Sequence, residues 1–419
     1  MRFTIITHSG RGDVEPFIAL ALRLMAAGHS AKIVTRPDFE ELLDEYGIEF
    51  APLGRPYKPF VEAVAESGAE GSGHFVNKVR VGVRQRAYIR EALHEDAWQA
   101  SKDADAIVYK WPWIVPSSIA EKLGVPSMPV MLVPLTPTSE FPSFMMGRGV
   151  DRGGLVNSLV WHAPLWTVRQ GLRLDDRTFR KGLGLPGLPI RGHLPKERVG
   201  APMLCAWSPS VLPAPRDWPA SHHVTGYWFL DPPGAWRPPE GLAEFLERGD
   251  RPVAIGFGSM ISSDRLATLS TILAALEITG LRAVLLGGWS GIGDGTALPD
   301  TVFAAPDIPH SWLLPRVAAV VHHGGAGTTG AAFRAGIPQV ICPFLADQPS
   351  WANVVHSLGA GPQPLPFARL DARQLAAALR EAVTDPAQRR HAATKGDQVR
   401  AEHGVEHAVS LIIDYLRRG

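Results

Sequence analysis

Cysteine is nearly missing from this chain: Cys205 and Cys342 are the two it has. Both lie in apolar, strand-like runs, so each is expected to be a buried thiol rather than half of a disulfide or part of a metal set. Charge imbalance is missing too. Forty-two basic side chains stand against 41 acidic ones, a formal net charge of +1. That gives no overall pull toward nucleic acid, and pairs such as Arg389-Arg390 and Arg417-Arg418 read as solvated helix surface. No apolar run reaches the roughly 18 residues of a membrane span. The start, MRFTIITHSG, turns polar after six residues, short of a signal peptide. A soluble, cytoplasmic protein without a transmembrane segment is expected. There is no short internal repeat, no Walker A lysine, no G-x-S-x-G elbow and no His/Cys cluster at metal spacing. Asp103-Ala104-Asp105 has the form of a metal-binding D-x-D, but it precedes a strand instead of following one and is expected at the surface.

What is present is ordinary globular composition, 45% hydrophobic and 20% charged over 419 residues, which favours two folded domains. The chain alternates strand and helix from its start. Phe3 to His8 reads as a strand, the turn Ser9-Gly10-Arg11-Gly12-Asp13 follows, and a helix bearing Phe17, Leu20, Ala21, Leu24 and Met25 stops at Gly28. Further strands are expected at Ala31–Thr35, Ile48–Leu53, Asp105–Tyr109, Ser127–Val133, Leu204–Trp207 and His223–Phe229. The spacing predicts helices at Asp38–Tyr46, about 79–101 and Val115–Leu123. Residues 54–78 lose the pattern. Residues 134–166 are rich in proline, aromatics and methionine (Phe141, Phe144, Met145, Met146, Trp161, Trp166) and suggest the lining of an apolar cleft. The stiff, proline-rich segment 230–240 reads as a linker. The alternation then restarts, with strands at Val253–Phe257, Ala283–Leu286 and Thr301–Ala305, and helices at Leu242–Glu247, Leu266–Thr279, about 350–358, 371–384 and 386–416. Such an order predicts an α/β protein with parallel sheets and helices on both faces.

One stretch concentrates the chemistry: 317–348, VAAVVHHGGAGTTGAAFRAGIPQVICPFLADQ. Its pattern is strand, glycine turn, helix, strand, polar loop. Both loops of such a unit lie at the edge of a parallel sheet where ligands bind, so His323, Thr328, Asp347 and Gln348 are expected to share one cleft. The glycines of Gly324–Gly327 let backbone N–H groups approach a ligand at the start of a helix, which suits phosphate. His323 and Thr328 can each add a donor. A structural histidine is the plainer alternative. Gly325-Ala326-Gly327-Thr328-Thr329-Gly330 also matches the dinucleotide pattern G-x-G-x-x-G, with Asp347 as its ribose acid. Against that, Asp347 falls past Pro343, beyond the strand tip, and Gln348 beside it suits several hydroxyls better than one ribose. In the first half, Asp13 ends a second glycine-bearing turn. It is either a helix cap or a general base toward a hydroxyl, with His8 as the alternative base.

These residues resemble the nucleotide-sugar-dependent glycosyltransferases with two Rossmann-like domains facing across a cleft, the GT-B fold. The likeness is strongest at Ser9–Pro16 (SGRGDVEP), Val253–Met260 (VAIGFGSM), Asp307–Leu314 (DIPHSWLL) and His322–Gln348. The branch most similar contains sterol glucosyltransferases and antibiotic glycosyltransferases. The resemblance implies that His323, Gly325, Ala326, Gly327 and Thr328 hold a donor diphosphate, and that Asp347 and Gln348 bind sugar hydroxyls. It further implies that Ile308 meets the base through its backbone, that Ser259 and Trp289 line the donor site, that Ser9 and Gly12 adjoin it, and that Asp13 is the catalytic base. The implied reaction is inverting and metal-independent, with no cofactor beyond a UDP- or dTDP-sugar co-substrate. One departure stands out. The branch pattern is close to G-S/T-R-G-D, whereas here serine is at position 9 and glycine at position 10. A second concerns His8: plant relatives orient a histidine base with an acid after the fourth strand, where this chain has Lys110-Trp111-Pro112-Trp113, which favours Asp13.

The expected organisation is an acceptor-binding domain 1–229, linker 230–240, a nucleotide-sugar-binding domain 241–401, and a final helix 402–419 crossing back to the first domain. The expected activity is transfer of a hexose, glucose from UDP-glucose foremost, to a hydroxyl of a hydrophobic acceptor such as a sterol, polyketide or flavonoid-like aglycone. A dTDP-deoxysugar transferase, a same-fold isomerase such as a nucleotide-sugar epimerase (which would need added acids in the cleft), a non-catalytic partner protein and an NAD-dependent oxidoreductase are the alternatives.

Overall fold

The computed structural model describes residues 1–59, 93–146, 154, 156, 157, 161, 176–187, 201–258, 264–288, 297–305 and 308–418. Ser259, Trp289 and Trp166, most of the 54–78 loop and the start of the 79–101 helix lie outside the described residues. The chain divides into two compact units. One holds residues 1–57, the described part of 93–230, and 402–418; the other holds 58, 59 and the described part of 231–401.

In the first unit the strands are β1 (Arg2–Ile6), β2 (Ser30–Thr35), β3 (Glu49–Pro52), β4 (Ala106–Lys110), β5 (Ser127–Met131), β6 (Met203–Cys205) and β7 (His222–Val224). They form one parallel sheet in the order β3-β2-β1-β4-β5-β6-β7. Between β1 and β2 runs α1 (Glu15–Ala26), whose Phe17, Ile18, Leu20, Ala21 and Leu24 are buried. Truncating any of the larger ones to alanine costs on the order of 3 kcal/mol. A helix at Val115–Leu123 starts on a proline turn and stops at Gly124, whose φ of 73° is the left-handed stop. The helix Gly404–Arg418 returns to this unit and packs on α1. Arg23 and Glu406 pair across that contact at 2.6 Å, and Ser208 donates to Glu402 at 2.7 Å just before the helix.

In the second unit β8 (Val253–Gly256), β9 (Ala283–Leu286), β10 (Val302–Ala305), β11 (Val320–His322) and β12 (Gln339–Ile341) form a parallel sheet ordered β10-β9-β8-β11-β12. One face packs on the helices Arg265–Thr279 and Ala372–Thr384 through Val253, Ile255, Leu269, Ile272, Leu375 and Leu379. The other face buries Leu242, Ala254, Leu313, Leu314 and Ala332.

Several expectations shift. The strand that opens the 317–348 stretch is Val320–His322, because Leu314–Arg316 is a turn of 3-10 helix that delays it. The strand expected at His223–Phe229 is His222–Val224, starting one residue earlier and ending five earlier. The single helix expected over 386–416 is two, Pro386–Arg400 and Gly404–Arg418, broken where the chain leaves one unit for the other. Within the proline-rich segment, Asp231 pairs with Arg334 at 2.7 Å and Trp236 packs on Trp312 with ring centroids 5.3 Å apart, both contacts lying in the second unit. The described aromatics of 134–166 pack on one another. Phe144 and Trp161 are buried, Phe141 contacts both rings, and the Trp161 indole donates to the Phe141 carbonyl. Asp103 pairs with Lys32 and Arg2, and Asp105 accepts the Arg2 N–H, so the D-x-D serves an ion-pair cluster at the start of the sheet.

Both sheets reverse their strand order at one place. In the first, β1 lies between β2 and β4; in the second, β8 lies between β9 and β11. The crevice beyond the strand ends at such a reversal is where open parallel sheets bind ligands. Ser9, Gly12 and Asp13 follow β1, and His323 to Thr328 follow β11, beside these reversals.

Candidate functional site

In the second unit, β11 ends at His322 and the chain turns through Gly324, whose φ is 90°. A side chain there would meet Ile341 and the Gln348 backbone, so glycine is required by space as well as by conformation. His322 is fully buried and structural. Its Nδ1 accepts the Gly324 N–H at 3.1 Å, which leaves Nε2–H to donate to Gln339 Oε1 at 3.0 Å. Burial pushes its pKa down to about 3. The plainer role open to either histidine in the sequence thus belongs to His322.

His323 differs. Its ring packs across the strand reversal against Gly258, at the end of β8, where an added Cβ would come within 3.1 Å of the imidazole. It also covers Gly325, leaving no room for a side chain there. Nδ1 is buried and has no hydrogen-bond partner among the described residues. Burial and the nearby His310 push its pKa down to about 4, so the ring is neutral at pH 7 and carries one N–H to donate.

Gly325 is the N-cap of α2 (Ala326–Ala335) and supplies no side-chain cap. The first-turn N–H groups of Ala326, Gly327 and Thr328 therefore lack intrahelical partners and carry the positive end of the helix dipole. Gly327 is exposed and Thr328 partly so. A neutral histidine beside open N–H groups at a helix start offers several hydrogen-bond donors to an anionic oxygen.

Ala346, in the left-handed region at φ 58°, turns the chain after β12 into α3 (Gln348–Ser357). Asp347 ends that turn at the N-cap position of this helix, without a side-chain cap; its Oδ2 accepts from the Trp351 indole at 3.0 Å. Gln348 is buried, and its Oε1 accepts the N–H groups of Phe344 and Leu345 at 2.8 and 3.1 Å. Its acceptor is therefore spent on shaping the turn, which leaves the amide N–H₂ as its polar offering. Ile308 is buried at the start of the segment before His310, beside the same sheet.

In the first unit the turn after β1 is tied by Thr7, whose hydroxyl donates to the Asp13 carbonyl at 2.7 Å. Arg11–Asp13 is one turn of 3-10 helix feeding α1. Gly12 is exposed, with open space where a Cβ would be. Ser9 takes φ 91°, a backbone state suited to glycine, and its hydroxyl contacts His8 Nδ1 at 2.9 Å. Burial and the cations Lys110 and Arg36 hold the His8 pKa well below its ordinary value, which makes His8 a poor proton acceptor. Asp13 does not cap α1, since the cap is Val14 without a side-chain bond. The Asp13 carboxylate instead pairs with Lys110 Nζ, Oδ1 to Nζ 2.8 Å. Sequence reasoning named Lys110 only as standing where plant relatives have an acid, and did not join it to Asp13. Its signal was its place at the end of β4, beside β1.

Residues 3–142 match the N-terminal domain of glycosyltransferase family 28, and residues 291–411 match the C-terminal domain of the erythromycin biosynthesis protein CIII-like family. The chain is 37% identical to the O-mycaminosyltylonolide 6-deoxyallosyltransferase of Streptomyces fradiae, across 99% of this chain and 97% of that one. It is 33% identical to a sterol 3-beta-glucosyltransferase of Cryptococcus neoformans across 98% of its own length, which is 27% of the fungal protein. Among solved structures, the glycosyltransferase VinC in complex with dTDP aligns at TM-score 0.69 and 21% identity, covering 100% of both chains. The calicheamicin glycosyltransferase CalG4 aligns at 0.70 and 20%, covering 100% of this chain and 99% of that one. At those identities the structural matches speak to the fold, which is GT-B.

Proposed function

Since the chain belongs to the GT-B glycosyltransferases that join a family 28 N-terminal domain to an erythromycin CIII-like C-terminal domain, we propose that it transfers glucose from UDP-glucose to a hydroxyl of a hydrophobic acceptor. The observation that carries the donor side is His323 Nδ1, buried and without a hydrogen-bond partner among the described residues, beside the start of α2, which has no side-chain cap. In this reading the first-turn N–H groups and His323 hold the diphosphate and stabilise the charge it gains on leaving. Asp347 and the Gln348 amide contact sugar hydroxyls. Residues 1–229 serve the acceptor, 241–401 the donor, and Ser9, Gly12, Ile308, Ser259 and Trp289 adjoin the donor. Asp13 takes the acceptor proton. The acceptor oxygen forms a bond to the anomeric carbon as the bond from that carbon to the diphosphate oxygen breaks. The proton passes to Asp13, nucleoside diphosphate departs, and the anomeric configuration inverts. No metal or further cofactor is required.

The acceptor class is a sterol, polyketide or flavonoid-like aglycone. A dTDP-deoxysugar is the second donor reading, favoured by the 37% likeness to a 6-deoxyallosyltransferase.

Thermal melting with UDP, dTDP and NAD, then transfer from UDP-glucose and dTDP-glucose to ergosterol, a macrolactone and a flavonol, read by mass, tests the proposal. A hexose adduct from UDP-glucose is expected. Stabilisation by NAD and not by either nucleoside diphosphate would overturn it.

A further inference from the structure

Lys110 is the last residue of β4, and the register Ile6↔Tyr109 sets it across from Thr7, at the ligand edge of the first sheet. Its Nζ lies 2.8 Å from Asp13 Oδ1 and 3.4 Å from the His8 carbonyl. Its side chain is 16% exposed and that of Asp13 29%, so the pair is partly withdrawn from water and less screened than a surface pair. Asp13 Oδ2 has no hydrogen-bond partner among the described residues. We propose that Lys110 is a positioning residue for the base: it pins one carboxylate oxygen of Asp13 and leaves the other presented to the acceptor hydroxyl.

The chemistry of the cation supports this role. An ammonium is a point charge that satisfies one oxygen, whereas a guanidinium at the same place would take both. The strand end is a rigid support, and the His8 carbonyl gives the ammonium a second anchor on the turn that carries Asp13. The gain for turnover is geometric: the pairing holds the other oxygen within reach of the proton it must take.

The inference rests on the reading of Asp13 as the base, and the test separates the two. Kinetics are measured with the donor and acceptor that turn over fastest in the panel above, for Lys110→Met, Lys110→Gln and Asp13→Asn. Lys110→Met keeps the apolar stem without the charge and is expected to lower kcat roughly tenfold to a hundredfold. The donor KM and the UDP-induced rise in melting temperature are expected to stay unchanged. Lys110→Gln, which retains a donor, is expected to fall between Met and wild type, and it is the variant read if Lys110→Met does not fold. A kcat for these variants at or above wild type, or a loss carried by donor KM, overturns the positioning role. Wild-type turnover in Asp13→Asn overturns the base itself, whatever the lysine variants do.

Discussion

The imidazole of His323 occupies the space that a side chain on Gly325 would need. One ring thus fixes the identity of the helix cap beside it and keeps the first turn of α2 open. Gly325→Ala is therefore expected to displace His323 and weaken UDP or dTDP binding on the order of tenfold to a hundredfold, as is His323→Ala, which removes the donor. Calorimetric titration of the two variants checks it. Wild-type affinity in both would detach the corner from the donor.

Much of this corner was legible in sequence because glycine, histidine and threonine between two short apolar runs leave few other foldings. The strand–helix alternation was legible for the same reason: left-handed stops at Gly28, Gly124, Gly280 and Gly336 punctuate it. Side-chain roles fixed by tertiary contact were not. Asp347-Gln348 reads as a polar loop, yet Gln348 is buried because two backbone N–H groups of its own turn need an acceptor. Lys110 is separated from Asp13 by 97 positions, and only the placement of β4 beside β1 joins them.

Gln348→Ala removes that acceptor and leaves the Phe344 and Leu345 N–H groups unsatisfied. A loss of roughly 1–3 kcal/mol in unfolding free energy is expected, with Gln348→Glu, which keeps an acceptor oxygen, losing less. Urea titrations compare the two. Equal losses would show that the turn does not depend on this oxygen.

Ser9 carries a backbone state that costs a Cβ-bearing residue about 1–2 kcal/mol. At most sites alanine is the more stabilising of the pair Gly and Ala. At position 9 the order is expected to reverse, Ser9→Gly being more stable than Ser9→Ala by about 1 kcal/mol, since both lose the His8 contact and only one keeps the strain. Melting of the two variants decides it, and a more stable alanine would refute the strain.

Histidines 222, 322 and 323 are held by burial at pKa values of about 4, about 3 and about 4, below the ordinary 6.5, and His8 is lowered as well. Between these values and 6.5 the unfolded chain binds protons that the folded chain refuses. Unfolding free energy therefore rises with pH across that window, is complete above it, and is lost as pH falls through it. Asp176, raised to about 6 by burial, acts in the opposite sense between 3.8 and 6 and offsets one histidine. The slope per buried histidine is at most roughly 1.4 kcal/mol per pH unit. Urea midpoints at about pH 7.5 and about pH 5 are expected to differ in that direction. His322→Asn keeps an acceptor for the Gly324 N–H but cannot titrate, so it should flatten the slope even though it lowers stability at neutral pH. An unchanged slope in that variant would mean that His322 takes up its proton in the folded state, against the tautomer that its two hydrogen bonds require.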